Sequence, residues 1–174
     1  FVAAWGIPLA VYLYTLSPVA MWGDSSKYLL QSQELKFTYE AGTHPLYNVL
    51  AYAWMSLNPW ENAALWLNLF SAVLSAIVAG LLFQFLRWEK VRPWICLCIC
   101  WAYCFSHVNW HLSVIAETYS LTALSVLAVL WLTRSMIKRM ESGQCTSNVQ
   151  LFSFAVLSAL VISNFLLMIP YFAV

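Results

Sequence analysis

The long uncharged stretches of this chain constrain its fold most strongly. A helix of about 20 apolar residues crosses a hydrocarbon core about 30 Å thick. Stretches of this kind predict five membrane spans, at residues 1–21, 62–86, 93–106, 118–133 and 151–171. Lipid offers backbone groups no hydrogen-bond partner, so each span is expected to be an α-helix. Only 9% of the residues are charged, against about 25% in a soluble domain. The predicted fold class is an all-α polytopic membrane protein.

Basic residues are concentrated in two connections between the predicted spans. They are Arg87, Lys90 and Arg92 in one connection, and Arg134, Lys138 and Arg139 in the other. Basic loops stay in the cytoplasm, so we expect segments 22–61 and 107–117 on the opposite face. This pattern is typical of a multi-pass protein of the bacterial inner membrane or the ER membrane. The net charge of +1 argues neither for nor against a nucleic-acid partner, but no basic stripe appears, so none is expected.

The whole chain, 1–174, is expected to form a single transmembrane domain and to be the N-terminal part of a longer protein. Its outer loop, 22–61, is expected to contain two short helices. Residues 24–37 read as an amphipathic helix with Asp24 at its N-cap. Residues 45–57 are apolar but too short to span, which favours an interfacial or re-entrant helix. The polar side chains expected to face water on the first helix are Lys27, Gln31, Gln33 and Glu34.

Two acids on the predicted outer face are the first candidates for chemistry. Asp24 lies at a helix start, where capping is the ordinary role of an aspartate. A capped carboxylate is still a proton acceptor, so capping and catalysis are compatible there. Glu117 lies at the outer end of the fourth predicted span, where an ionisable residue suggests a functional site. The alternative for Glu117 is a carboxylate favoured by the helix dipole.

All three histidines share this face with the acids. His107 and His111 are four residues apart, so they can lie on one helical face. With Glu117 or Asp24 they could bind a divalent metal. Interfacial hydrogen bonding or contact with a phosphate is the other interpretation, and the sequence assigns no metal site.

Four cysteines fall in the third predicted span. Cys96, Cys100 and Cys104 recur every four residues and form a stripe of small side chains suited to close helix packing in lipid. No phosphate-binding glycine loop and no Ser-His-Asp pattern appears. The sequence therefore gives no indication of a cytosolic nucleotide substrate.

Several short motifs together resemble a known family. They are Gly23-Asp24-Ser25-Ser26-Lys27, Glu34-Leu35, Thr43-His44-Pro45-Leu46-Tyr47, Trp66-Leu67-Asn68-Leu69-Phe70-Ser71-Ala72, Ala116-Glu117-Thr118-Tyr119-Ser120-Leu121 and Ser163-Asn164. Their order resembles that of GT-C-type membrane glycosyltransferases, and most closely that of the protein O-mannosyltransferase-like family. Lys27 stands where that family usually has a second acid, and the family's proline-rich stretch is shortened here to His44-Pro45.

The resemblance implies an enzyme that moves a sugar, expected to be mannose, from a polyprenyl-phosphate carrier to a hydroxyl on a protein or glycan. Asp24 would be the catalytic base, and Glu117 would complete the catalytic site. His44 could approach the carrier phosphate, and Lys27 could pair with it. Tyr47 and His111 complete the expected substrate-binding set. No cofactor is implied beyond the divalent metal left open above.

A non-enzymatic transport or membrane-complex subunit is the alternative. In that case the outer acids and histidines would only line an interface. Transport would favour charges buried in mid-span and broken helices at matching places in two repeats, and the sequence shows neither pattern.

Overall fold

A computed structural model describes residues 1–21, 23–35 and 44–164. This part of the chain is all α-helical, as predicted, and contains no strand. The helices are α1 Val2–Tyr14, α2 Asp24–Glu34, α3 Pro45–Met55, α4 Ala63–Trp88, α5 Pro93–Cys104, α6 His107–Ser113, α7 Tyr119–Glu141 and α8 Asn148–Asn164.

Two of these helices, α4 and α7, are long and apolar enough to cross a membrane. The pair α5 and α6 makes a third span if its 69° bend lies within one crossing. The described residues therefore show two or three candidate spans and indicate a membrane protein, whereas the sequence predicted five. Helix α1 ends at Tyr14, before Pro18, and its 13 residues rise only about 20 Å. The end of the fifth predicted span, 165–171, lies outside the described residues.

Helix α7 is longer than the span predicted at 118–133. It continues to Glu141, so Arg134, Lys138 and Arg139 lie on its last turns. The prediction that they lie in a connection is wrong. Arg87 likewise lies in the last turn of α4. The prediction failed because long basic side chains are good helix formers and can keep their charged ends in water.

The outer loop contains both short helices, with corrections to the first. Gly23, not Asp24, is the N-cap of α2, and Asp24 is the first helical residue. The helix ends at Glu34, because Leu35 takes a left-handed conformation at φ 49°. Gln31 is buried and accepts a hydrogen bond from Asn48 on α3 at 3.3 Å, so its predicted exposure to water is wrong. The end of the predicted helix, 36–37, and the residues between the two helices up to 43 lie outside the described residues.

Helix α4 lies at the centre and packs against α1, α5 and α7. Where α5 meets it, Cys96, Cys100 and Cys104 are fully buried, which confirms the prediction of a close-packing stripe. The bend after α5 is held by polar contacts. The Tyr12 hydroxyl donates to the Cys104 carbonyl at 2.9 Å, and Ser113 donates to Ser75 on α4 at 2.7 Å.

The ends of α4 and α7 opposite the outer loop are joined by ion pairs. Glu89 lies 2.9 Å from Arg134 and 3.0 Å from Lys138. The Lys138 ammonium also lies 4.0 Å from the centre of the Trp88 ring, which is stacked on Trp131 at 5.5 Å. These contacts fix the two longest helices against each other.

Candidate active site

Two buried serines, one on α2 of the outer loop and one on α4, hold the segment before α7 in place. Ser25, in the first turn of α2, donates to the Ala116 carbonyl at 2.9 Å. Ser71, on α4, accepts from the Glu117 N–H at 3.2 Å and donates to the Glu117 carbonyl at 3.4 Å. Both serines are fully buried. The start of α2, and with it Asp24, is thereby held next to Glu117.

The two candidate acids therefore come together, in unlike surroundings. Asp24 is exposed at the amino end of α2, where free N–H groups and the helix dipole favour a negative charge. Glu117 is partly buried in the connection between α6 and α7. Burial raises the pKa of Glu117 to about 7, and the nearby Asp24 carboxylate is the second cause. A carboxyl with a raised pKa can hold a proton, so Glu117 can act as a proton carrier beside the exposed carboxyl of Asp24.

Two buried tyrosines lie close to Glu117. Tyr28 on α2 and Tyr47 on α3 are buried with ring centres 5.0 Å apart, and Tyr47 packs on Phe70 of α4 at 5.9 Å. Burial raises the pKa of both phenols above the ordinary value, and the charge of Glu117 adds to the rise. Both phenols therefore stay protonated at neutral pH. The Tyr47 hydroxyl makes no hydrogen bond within the described residues.

His44 adjoins this cluster from the start of α3. Its ring packs edge-on against Tyr28, with ring centres 5.9 Å apart, and its Nδ1 contacts the Asn164 carbonyl at the end of α8. The structure thus brings His44, Tyr47, Asp24 and Glu117 into one region. Tyr47 is fully buried, so it lies behind the surface that a substrate would meet.

The other two predicted substrate-binding residues lie on α2 and α6. Lys27 is half-buried on α2, three residues after Asp24. His111 is exposed on α6, where it lines a cavity of about 210 Å³ with His107, Trp110 and Val114. In the ranges 1–21, 23–35 and 44–164, no three His, Cys, Asp or Glu side chains converge as metal ligands would.

An apolar cavity of about 580 Å³ lies between α4, α5, α6 and α7, and its lining includes Tyr119, two residues after Glu117 in sequence. Tyr119 and Thr122 line it near the start of α7, and Leu130 lines it farther along the same helix. These positions on α7 span about 16 Å. Apart from a few polar groups such as Asn109, the lining is aliphatic or aromatic.

Sequence reasoning gave no role to the residues that assemble this region. Ser25 and Ser71 bind residues that lie 91 and 46 positions away in sequence. Asn164 accepts a hydrogen bond from Tyr47, which lies 117 positions away. The only signal at sequence level was that all three fall within motifs that resemble the family.

Comparison with known proteins supports that resemblance. Residues 24–174 match the family described as the protein O-mannosyl-transferase TMEM260 N-terminal domain. Protein O-mannosyl-transferase TMEM260 of Mus musculus is 29% identical over 132 residues, which cover 76% of this chain and 19% of that protein. The chain thus spans only a small part of its relative, and no solved structure matches it. The family match covers most of the chain, so the chain belongs to the family of the TMEM260 N-terminal domain and is O-mannosyltransferase-like.

Proposed function

We propose that this chain is the part of a membrane glycosyltransferase that carries the catalytic base. The reaction moves mannose from a polyprenyl-phosphate carrier to a hydroxyl acceptor, such as a serine or threonine of a protein, on the non-cytoplasmic face. The mouse relative is named as a protein O-mannosyl-transferase, which supports the mannosyl group and the protein acceptor. The lipid-linked donor and the membrane face rest on the resemblance of the outer-loop motifs to GT-C-type enzymes.

The observation that carries this proposal is the convergence of Asp24 and Glu117. In the proposed step the acceptor oxygen attacks the anomeric carbon and forms the new glycosidic bond. The bond from that carbon to the phosphate oxygen breaks, and polyprenyl phosphate leaves with the bonding electrons. Asp24 accepts the proton of the acceptor hydroxyl. Glu117, with its pKa raised to about 7, can hold a proton and donate a hydrogen bond to the sugar or the phosphate.

The apolar cavity along α7 supports a lipid-linked donor. It begins at Tyr119, two residues after Glu117, and continues along α7 between apolar side chains. A prenyl chain has no polar groups and fits such a lining, because the free energy falls when apolar surface leaves water or a polar interface. His44 and Lys27 lie on the side of the acids, where the phosphate would be held in this arrangement.

Transfer of mannose from polyprenyl-phosphate mannose to a Ser/Thr peptide tests the proposal, with the complete gene product in membranes. Asp24→Asn keeps the size of the side chain but removes the base, so we expect transfer to fall by about 10²- to 10⁴-fold. Glu61→Gln is the matched control, since Glu61 is an exposed acid of the same outer loop, and its rate should equal the parent rate.

A folded Asp24→Asn variant that transfers mannose at the parent rate would remove Asp24 as the base. No transfer by the parent protein from any polyprenyl-phosphate sugar would remove the proposed donor. A transport or assembly role is not favoured, because the family match is to a transferase.

A further inference from the structure

The amino end of α3 is capped by a residue from a different helix. Pro45 is its first residue and has no N–H, and the side chain of His44, the N-cap, makes no capping hydrogen bond. The Tyr47 N–H in the first turn instead donates to Asn164 Oδ1 at 3.1 Å. Asparagine is a favoured cap residue because its oxygen satisfies an N–H that has no partner within the helix. Here the same chemistry joins α3 to α8.

Asn164 makes two more contacts and is only 2% exposed. Its Nδ2 donates to Thr122 Oγ1 on α7 at 3.4 Å. Its backbone carbonyl accepts a hydrogen bond from His44 Nδ1. One buried residue thus joins α3, α7 and α8.

The contact with the carbonyl determines which nitrogen of His44 carries the proton. A carbonyl oxygen can only accept a hydrogen bond, so Nδ1 must be the protonated nitrogen. In the neutral ring, Nε2 is then the nitrogen with a lone pair. The same ring packs against Tyr28. Burial raises the pKa of the Tyr28 phenol, and the charges of Glu117 and Asp24 add to the rise.

We infer that Asn164 is a positioning residue of the proposed active site. It holds the first turn of α3 against α7 and fixes the orientation and the tautomer of His44, so that Nε2 is presented in a constant direction. It does not touch the reacting atoms. This role rests on the proposed function, in which His44 contacts the sugar donor. The tautomer of His44 can nevertheless be measured independently of any activity.

Three variants separate positioning from simple support of the fold. Asn164→Leu removes both polar contacts of the side chain at similar size. Asn164→Asp keeps an oxygen for the Tyr47 N–H, at a helix start where negative charge is favoured. Ser163→Ala is the matched control, because Ser163 is exposed and its hydroxyl donates to the Leu160 carbonyl of the same helix.

The first readout is sugar transfer by the complete gene product, normalised to the folded fraction measured by size-exclusion chromatography. Displacing a substrate-positioning group by about 1 Å costs about 10²-fold in rate. We therefore expect Asn164→Leu to lower kcat by about tenfold to a hundredfold, with a smaller change in KM. Asn164→Asp should restore kcat to within about threefold of the parent, and Ser163→Ala should match the parent. Parent kcat in folded Asn164→Leu would overturn the inference, as would an equal loss per folded molecule in the Leu and Asp variants.

The second readout is the ¹⁵N NMR spectrum of the histidine ring nitrogens, with the His44 signals assigned by their loss in His44→Gln. The parent should show His44 protonated at Nδ1 when neutral. Asn164→Leu should shift that ring towards protonation at Nε2, whereas Ser163→Ala should not. An unchanged His44 spectrum in Asn164→Leu would overturn the inference. A changed spectrum in a protein whose parent form transfers no sugar would leave the positioning role standing and remove the proposed function.

Discussion

Asp24 and Glu117 carry the same functional group, but their surroundings give the two carboxyls different properties. Asp24 is exposed at a helix start, whereas Glu117 is held by Ser71 in a partly buried connection. Because burial disfavours the charged form of a carboxyl, ionised Glu117 lowers the stability of the folded protein. Such a cost is expected where a residue is kept for chemistry.

The raised pKa of Glu117 predicts a pH-dependent gain of stability in Glu117→Gln. The folded pKa of about 7 exceeds the ordinary 4.5, so between these values the folded state binds more protons than the unfolded state. Stability therefore falls as pH rises through this window, and the full cost is present above about pH 7. Glu117→Gln removes that cost. Its melting temperature in detergent should exceed the parent value at pH 8, and the difference should shrink towards pH 5.

Glu61→Gln provides the control for this prediction, because it removes an exposed acid and should leave the melting temperature nearly unchanged at both pH values. A Glu117→Gln variant that melts below the parent at pH 8, or shows the same difference at pH 5 and pH 8, would contradict the account of Glu117.

The sequence identified the acids but not the residues that bring them together. Asp24 and Glu117 could be named because acids are scarce in this chain and both fall in predicted outer segments. Ser71 and Asn164 are ordinary polar residues within apolar stretches. Their importance comes from contacts made 46 and 117 positions away in sequence. A single sequence has no periodicity or spacing that reports contacts at such distances.

At the scale of elements, α4 and α7 form the framework on which the site depends. They pack along much of their length, and each supplies part of the site at one end, through Ser71 and Thr122. At the other end they are joined by Glu89, which pairs with Arg134 and Lys138. A two-pronged contact with Arg134 uses both oxygens of Glu89, at 2.9 and 3.3 Å. This geometry is stronger than that of a single surface ion pair.

The ion pairs of Glu89 predict an acid-dependent loss of stability that Glu89→Gln should remove. Hydrogen bonds from Arg134 and Lys138 lower the pKa of Glu89 to about 2 from the ordinary 4.5. For an acid with a lowered folded pKa, the stabilisation is present above about pH 4.5 and is lost as pH falls towards 2. The parent should melt at a higher temperature than Glu89→Gln at pH 6, and the two should converge near pH 2.

Glu141→Gln is the comparison for this measurement, because Glu141 meets Arg134 at the longer distance of 3.4 Å and is more exposed. Its effect at pH 6 should be smaller than that of Glu89→Gln. Equal melting temperatures for the parent and Glu89→Gln at pH 6 would show that the pairs add nothing to the contact between α4 and α7.

Helix boundaries could be predicted where a residue with a strong positional preference, such as proline, marks them. Pro45 and Pro93 start α3 and α5 as expected, because proline suits the first helical position. Hydropathy alone overestimated α1, since residues 15–21 are apolar enough to continue the span but are not helical. It underestimated α7, because it treats basic residues as the end of a span even where the helix continues into water.

At the scale of the whole molecule, the candidate site and the main basic cluster lie at opposite ends of α7. Tyr28 and Tyr47 pack near its amino end, whereas Arg134, Lys138 and Arg139 lie on its last turns. Basic residues favour the cytoplasmic side, so the candidate site is expected on the opposite face.

Cys145 provides a direct test of sidedness, because it is exposed in the connection between α7 and α8. A membrane-impermeant maleimide should label Cys145 only after the membrane is permeabilised. Ser56→Cys in a Cys145→Ser background should be labelled without permeabilisation, since Ser56 is exposed at the end of α3. Labelling of Cys145 in sealed cells would reverse the proposed orientation.

The central claim is that Asp24 and Glu117 act together in one site, and a double-mutant cycle on mannosyl transfer tests it most directly. The rates of Asp24→Asn, Glu117→Ala and the double variant would be compared, each per folded molecule, because alanine removes the hydrogen-bond donor that glutamine would keep. Residues that act as a unit have strongly non-additive effects, so we predict that the double variant is hardly slower than the slower single variant. Losses that multiply, or a parent rate in either folded single variant, would contradict the claim.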